Sequence, residues 1–534
     1  MFTLALSIGI YSYLIFALGL LSLLYKPIIF TIAILFSFIV TFVYWKQVKM
    51  NWFKCFETLK QIQKMNLVFI KRNLLLIVAL STLVLQGIIN FIGTLGPELG
   101  FDALWYHLTL PKIYLLHHQI VHIPGSLLYY SDMPKLTEML YATGLALGSE
   151  IFAKLIHFSF GILTLFALYK ISRKFLPKVF SLLVLVLFYS NLVVGWMSMT
   201  AYSDIARTFF EVMALWGFLE WIEKKEKKWL IESAVMLGLA VSTKLLALGS
   251  LFIFTILVIF FFLHHGKKIK DLFIGLFVYW FICLLIPLPW FIFSFTHTGN
   301  PVYPFFTNVY PLKFNFNLIN SLNLSDPISP LYVVFLPLAV LLYRRFKLPL
   351  KIISLYSFLA ILIWYLTPPT GGGRFILPYL PAFSVVSIVV VNTLPKNKLK
   401  YILIAPIIFL SLFSIVYRAV ANSKYLPVIL GKESKAQFLS NHLNFSFGDF
   451  YDTDGYFAKK IKIKDTVLLY GFHNLYYVNF PFIDSSYIKK GDIFNYIAVQ
   501  GDNLPKRFNM WNLIYYNDKT KVMLYSTGGL KWVY

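Results

Sequence analysis

The segment Gly96-Pro97-Glu98-Leu99-Gly100-Phe101-Asp102-Ala103-Leu104-Trp105-Tyr106-His107 concentrates groups that can do chemistry. It follows directly on an apolar run, residues 73–93, long enough to cross a bilayer. The chain leaves the hydrocarbon there and at once presents a carboxylate, Asp102, among Trp105, Tyr106 and His107. An acid held at the water–lipid boundary suits proton abstraction from a hydroxyl when the second reactant sits in lipid. The plainer reading is a solvated loop acid ahead of an interfacial aromatic belt.

Other charged residues fall at the same level. Asp204, Arg207 and Glu211 open an apolar run at spacings of three and four, so they share one helical face. Charges inside a span are expensive, so this face points into the bundle, either as a structural network locking helices together or as part of a site. Asp102 and Asp204 can divide the roles of base and positioning group, or hold a divalent ion. Among the cations, Lys244 follows Ser242-Thr243, and Arg374 follows Gly371-Gly372-Gly373, whose backbone N–H groups can approach a phosphate. A lipid-linked phosphate needs such cations at headgroup depth. Arg374 is assigned to that role, Lys244 leaves phosphate binding and snorkelling equally open, and Lys154 is assigned to snorkelling. The Asn300-Pro301-Val302-Tyr303-Pro304 segment is rigid and aromatic and can line a sugar or lipid groove or sit in an interfacial belt.

His107, His117, His118 and His122 have irregular spacing and no cysteine nearby, which argues against zinc. Cys55 and Cys283 are the only cysteines; one falls in a cytoplasmic loop and one in a span, so they cannot pair. Neither the G-x-x-x-x-G-K-[ST] motif for nucleoside triphosphates nor a dinucleotide-binding glycine run occurs, so neither ATP nor a dinucleotide drives this chain. No cofactor is assigned beyond the divalent ion left open above.

The elements that must position these groups are membrane spans. Hydrophobic residues make up 59% of the chain and charged residues 13%, with a mean hydropathy of +0.72. About thirteen apolar runs can each span a hydrocarbon core of about 30 Å. The runs are 3–24, 28–45, 73–93, 149–169, 179–197, 204–222, 229–246, 248–263, 272–294, 329–343, 352–367, 375–393 and 401–419. The first lacks a basic leader and a cleavage site, so it reads as a retained helix.

The net charge of +25 is a matter of topology rather than of nucleic-acid binding. Alternate loops from 46–72 to 396–400 carry 25 Lys and Arg, against 5 in the intervening loops 25–27 to 368–374. This asymmetry puts the N-terminus in the cytoplasm, and Asp102 and everything after about residue 420 outside.

Three regions follow. Residues 1–72 form a helical hairpin plus a basic, amphipathic cytoplasmic segment suited to anionic lipid. Residues 73–420 form the main bundle, interrupted by outer loops 94–148 and 295–328. In the first loop, 102–118 and 135–147 are expected to be helices lying along the outer surface. Residues 421–534 are expected to form a small extracytoplasmic α/β domain. Asp465–Gly471 reads as a buried strand ending in a turn, and Trp511–Tyr516 with Lys521–Tyr525 as a hairpin.

An ordered set of segments carries a resemblance across about residues 73–400. The segments are Phe101-Asp102-Ala103-Leu104-Trp105-Tyr106-His107 with Leu110-Pro111, Ala201-Tyr202-Ser203-Asp204, Ser242-Thr243-Lys244, Gly299-Asn300-Pro301-Val302-Tyr303-Pro304, and Arg374-Phe375-Ile376-Leu377-Pro378. In this order the chain resembles the GT-C class of membrane glycosyltransferases, in its protein mannosyltransferase and aminoarabinose-transferase-like (ArnT-like) branch. The resemblance implies a polyprenyl-phosphate-linked sugar as donor and transfer on the outer face of the membrane. The acceptor would be a glycan, a lipid or a protein. It implies Asp102 as catalytic base and Arg374 and Lys244 at the donor phosphate; from the residues themselves, Trp105, Tyr106, His107 and Tyr303 are expected along the substrate groove. Two features depart from the family pattern. Ala103 follows Asp102 where many relatives have a second acid, and two spans precede the usual first catalytic span. The competing classes are a flippase for a lipid-linked glycan, which calls for midplane charges and repeat symmetry, and an O-antigen-ligase or polymerase-like enzyme, which favours Arg- and His-centred loops.

Overall fold

The structure is a computed structural model that describes residues 1–534 except 63–72, 267, 309–326, 368–370, 396, 527 and 529–530. The predicted interfacial segment within 46–72 is described only as a continuation of the Lys26–Ile62 helix, and the loop 295–328 only at its two ends.

The chain is a multi-pass membrane protein. Among the described residues, eight helices are long and apolar enough to cross a membrane, or nine if one bent pair counts as a span. This is fewer than the thirteen expected, and the shortfall has physical causes. The run 179–197 breaks at Ser190-Asn191 into Lys178–Tyr189 and Leu192–Met197. There the Asn191 side chain donates to the carbonyls of Leu187 (2.7 Å) and Phe188 (2.9 Å), competing with the helix for its last turn. The run 272–294 bends by 63° between Ile269–Leu285 and Leu288–Thr298, where Pro287 interrupts the backbone bonding. The Asp204–Lys224 helix is too charged to qualify, Lys227–Thr243 has only 17 residues and Leu331–Leu342 only 12.

The helix expected on the surface at 135–147 is instead interior. Every residue of Leu136–Gly144 is buried, packed between the Phe2–Leu20, Thr109–His117 and Glu150–Ser172 helices. Tyr11 meets Thr143 at 3.1 Å, and the Ser12 hydroxyl donates to the Leu136 carbonyl at 2.5 Å. The N-terminal hairpin is therefore built into the bundle beside the first loop.

The described residues of 467–533 hold seven strands: β1 (Val467–Tyr470), β2 (Phe482–Asp484), β3 (Ile493–Phe494), β4 (Tyr496–Gln500), β5 (Asn512–Asn517), β6 (Val522–Ser526) and β7 (Trp532–Val533). The main sheet has the order β2-β1-β4-β6-β5, and β3 pairs with β7. β1 runs parallel to both neighbours, and β5–β6 is an antiparallel hairpin. Alternation along the strands serves two cores. Val467, Leu469, Ala498, Val522 and Leu524 join the large cluster, while Leu468, Ile497 and Val499 face Phe508 and Trp511. Gly471 closes β1 at φ +74°, a conformation that favours glycine.

Candidate active site

The segment carrying Asp102 is clamped at both polarities. The Leu74–Leu95 helix ends at Gly96, where an added Cβ would lie 2.1 Å from the Tyr425 ring. Its terminal carbonyls lack intrahelical donors. The buried Lys154 ammonium supplies them, donating to Gly93 (2.9 Å), Gly96 (2.7 Å) and Pro97 (3.4 Å). Lys154 is therefore an internal helix cap, and the snorkelling assignment fails because three orphan carbonyls outcompete lipid headgroups. Glu98 does the converse. One carboxylate oxygen accepts from the N–H groups of Leu99 (2.9 Å) and Gly100 (2.7 Å), and the other from Ala201 (2.7 Å).

Asp102 follows this clamp and precedes a single π-helical turn, Ala103–His107. Its carboxylate Oδ2 accepts from Arg374 Nη1 at 2.7 Å. Its backbone N–H donates to the Tyr202 hydroxyl at 3.1 Å, and the Arg374 guanidinium lies 5.1 Å from the centre of the Tyr202 ring. The Tyr106 hydroxyl lies 3.4 Å from Oδ2. Burial, and secondarily the Asp102 charge, pushes the Tyr106 and Tyr202 phenols well up, so both remain protonated. Arg374 is delivered by the glycine triplet: Gly372 has φ +50°, and Trp364 Nε1 donates to its carbonyl at 3.3 Å.

A second pair lies beside the first. Asp204 begins one helix and Lys244 follows the end of the next, Lys227–Thr243. The short turn between these two antiparallel helices brings their ends to one level. Each charge also opposes its own helix dipole, with the acid at an N-terminus and the base at a C-terminus. Lys244 donates to Asp204 Oδ1 at 2.8 Å and lies 5.3 Å from the centre of the Phe375 ring, one residue past Arg374.

The two pairs meet at a cavity of about 220 Å³ that Asp102, Lys244 and Arg374 line with Trp105, Tyr106 and Tyr129. Tyr106 stacks on Tyr130 at 3.7 Å, and Trp105 Nε1 donates to the Leu127 carbonyl at 2.9 Å, which fixes the aromatic wall. The sheet region contributes too. His473 stacks on Phe101 (4.8 Å) and meets Trp105 at a tilt of 57° (4.2 Å), and burial lowers its pKa, favouring the neutral ring.

Other expected site residues lie elsewhere. Arg207 and Glu211 form a fully buried pair at 2.6 Å, tied to Tyr379, Ser250 and Tyr356, so they lock four helical segments together and do not line this cavity. His107 turns away to Glu138, at 2.5 Å. Tyr303 reaches only the edge of Tyr129, at 6.5 Å, while Pro304 and Phe305 line the cavity. His122 pairs with Asp132 and stacks on His297. Among the described residues no three His, Cys, Asp or Glu side chains converge. Asp204 keeps one buried oxygen without a hydrogen-bond partner, close to the cations Lys244 and Arg374.

Sequence reasoning missed the roles of Glu98, Tyr129, Tyr202 and His473. Tyr202 and Glu98 stand inside segments already singled out, whereas Tyr129 and His473 carry no local signal because only tertiary packing brings them to Asp102.

Residues 132–293 match the family model of dolichyl-phosphate-mannose-protein mannosyltransferases. The fold resembles that of ArnT from Cupriavidus metallidurans bound to undecaprenyl phosphate, with TM-score 0.54 and 13% identity over 84% of this chain and 97% of that one. The apo state of the same protein gives TM-score 0.54 and 12% identity over the same shares. The oligosaccharyltransferase of Archaeoglobus fulgidus is more distant, with TM-score 0.43 and 13% identity over 76% of this chain and 64% of that one. No curated protein sequence matches the chain. The matched middle region is that of a mannosyltransferase family, and the fold along most of the chain is that of a multi-pass membrane glycosyltransferase of GT-C type.

Proposed function

We propose that this chain moves a sugar from a polyprenyl-phosphate-linked donor to an acceptor hydroxyl or amine at the outer face of the cytoplasmic membrane. The observation that carries this reading is the meeting of Asp102–Arg374 and Asp204–Lys244 at one aromatic-walled cavity. That cavity holds one carboxylate able to take a proton and two cations able to hold a phosphate. The likeness to a protein solved with undecaprenyl phosphate supports the same donor class. The charge asymmetry of the loops supports an outer-face site and an inside N-terminus.

In this reading the donor phosphate enters beside Arg374 and Lys244. Arg374 then divides its donors between phosphate and Asp102, which frees a carboxylate lone pair to accept a proton. The acceptor oxygen or nitrogen attacks the anomeric carbon while Asp102 takes its proton. The bond from the anomeric carbon to the phosphate oxygen breaks, and its electron pair leaves with the lipid phosphate, whose growing charge the two cations stabilise. Both reactants are held at the interface, which supplies proximity. The acceptor, whether glycan, lipid or protein, approaches past Trp105 and His473. The test is transfer of labelled sugar from polyprenyl-phosphate donors by the reconstituted protein, compared with Asp102→Asn at equal amounts of folded protein.

A further inference from the structure

A second cavity, about 480 Å³, is lined in part by Leu99, Gly100 and Phe101, just before Asp102 in the chain, and shares no lining residue with the Asp102 cavity. Its walls include Trp196 and Tyr425, and its cations are Arg418 and Lys424. Arg418 belongs to the last long helix, Asn397–Ser423, little more than one turn before its end. It is only 7% exposed, so it does not reach out to bulk solvent. Its Nη2 donates to Asn422 Oδ1 and to Met199 Sδ, both at 2.8 Å. Its Nε is buried with no partner, and among the described residues no carboxylate forms an ion pair with it. The one acid on the cavity wall, Asp449, is already committed. Its oxygens accept from Asn474 Nδ2 at 2.5 Å and from the Asn444 N–H at 2.7 Å.

A buried guanidinium with unused donors and no counter-charge is costly unless an anion completes it. Arginine's planar fork matches phosphate oxygens, and Lys424 adds a second positive charge at the rim. The volume exceeds that of a bare ion and leaves room for the group that carries the phosphate. We propose that this cavity binds a phosphate-bearing group, either the phosphodiester headgroup of an anionic lipid or free phosphate, at a site distinct from the catalytic cavity.

The test uses the full-length protein, delipidated in detergent, with three probes: phosphatidylglycerol, diacylglycerol as its phosphate-free control, and inorganic phosphate. Binding is read by native mass spectrometry and by the shift in thermal unfolding. Phosphatidylglycerol binding in preference to diacylglycerol, with no response to inorganic phosphate, assigns the cavity to a lipid headgroup. Binding of inorganic phosphate, in competition with the lipid, assigns it to the phosphate itself. In either case Arg418→Gln weakens binding by about tenfold or more, the loss of one charge-assisted hydrogen bond. Lys424→Gln, at an exposed position that leaves folding intact, weakens it by about threefold and carries the test alone if Arg418→Gln does not fold. Equal binding of phosphatidylglycerol and diacylglycerol with no phosphate response overturns the proposal. So does affinity unchanged in the folded variants.

Discussion

Asp102 and Arg374 stand 272 positions apart in the chain and meet at 2.7 Å. The carboxylate suited to take a proton is thus held, before any substrate arrives, by a cation suited to hold a phosphate. Phosphate binding and base activation are thereby coupled, because a phosphate that draws on Arg374 also loosens its hold on Asp102. Replacing Asp102 by Asn keeps the shape and removes the base, so transfer should fall by about 10²–10⁴-fold. Arg374→Gln should lower transfer by about 10²–10³-fold and also weaken donor binding. The double variant should lose much less than the product of the two, as residues of one unit do. Steady-state transfer measured for all four forms checks this.

Lys244 and Asp204 form a pair whose acid is fully buried. Removing one partner strands the other charge, at a cost of about 3–5 kcal/mol. Asp204→Asn and Lys244→Met alone should each unfold at a clearly lower temperature in detergent, and the double variant should regain most of the loss while remaining inactive. Thermal unfolding of the three variants measures it.

Lys154 should behave as a positioning residue. Lys154→Met leaves three carbonyls without their donor, costing about 1–3 kcal/mol, and loosens the segment that presents Asp102. The expected signature is a fall in kcat larger than the rise in KM, since the base is misplaced while the phosphate cations remain. Expressing kcat per amount of folded protein, with KM measured alongside, distinguishes this from simple loss of folded protein.

Lys135 makes stability depend on pH. Its buried ammonium donates to the carbonyls of Ser131 (2.6 Å) and Met133 (2.5 Å). Burial pushes its pKa down to about 7, against the opposing pull of Asp132 and Glu138. The unfolded chain, at about 10.4, binds the extra proton across the interval above 7. Stability from this group therefore rises with pH between about 7 and 10.4, at up to about 1.4 kcal/mol per pH unit, and is absent below 7. Lys112, pushed down to about 8 by burial, acts in the same direction over a narrower window. Unfolding midpoints across pH 7–10 should climb more steeply in wild type than in Lys135→Met.

Much of this architecture is legible in the chain because hydropathy is local. The long apolar helices and the β5–β6 hairpin follow from it. Among the described residues eight or nine helices qualify as spans against the thirteen runs expected, partly because composition alone does not register Asn191 capturing its own helix or Pro287 turning one by 63°. Asp102, Lys244, Arg374, Trp105 and Tyr106 were legible as a set because each stands at a span boundary, and they do share one cavity. Arg207 and Glu211 carried the same signal, charge on an apolar helix, yet satisfy one another at 2.6 Å away from that cavity. Spacing says that two charges share a face, but not what packs against it. Lys154 illustrates the same limit, since its three carbonyl partners lie 57–61 positions away.

The most direct measurement is transfer of labelled sugar from polyprenyl-phosphate donors in proteoliposomes, comparing wild type with Asp102→Asn at matched folded amounts. Label should leave the lipid donor with wild type and stay on it with the variant. Equal transfer by both forms would contradict the assignment of the base, and donor left intact by both, across several sugars, would contradict the proposed donor chemistry itself.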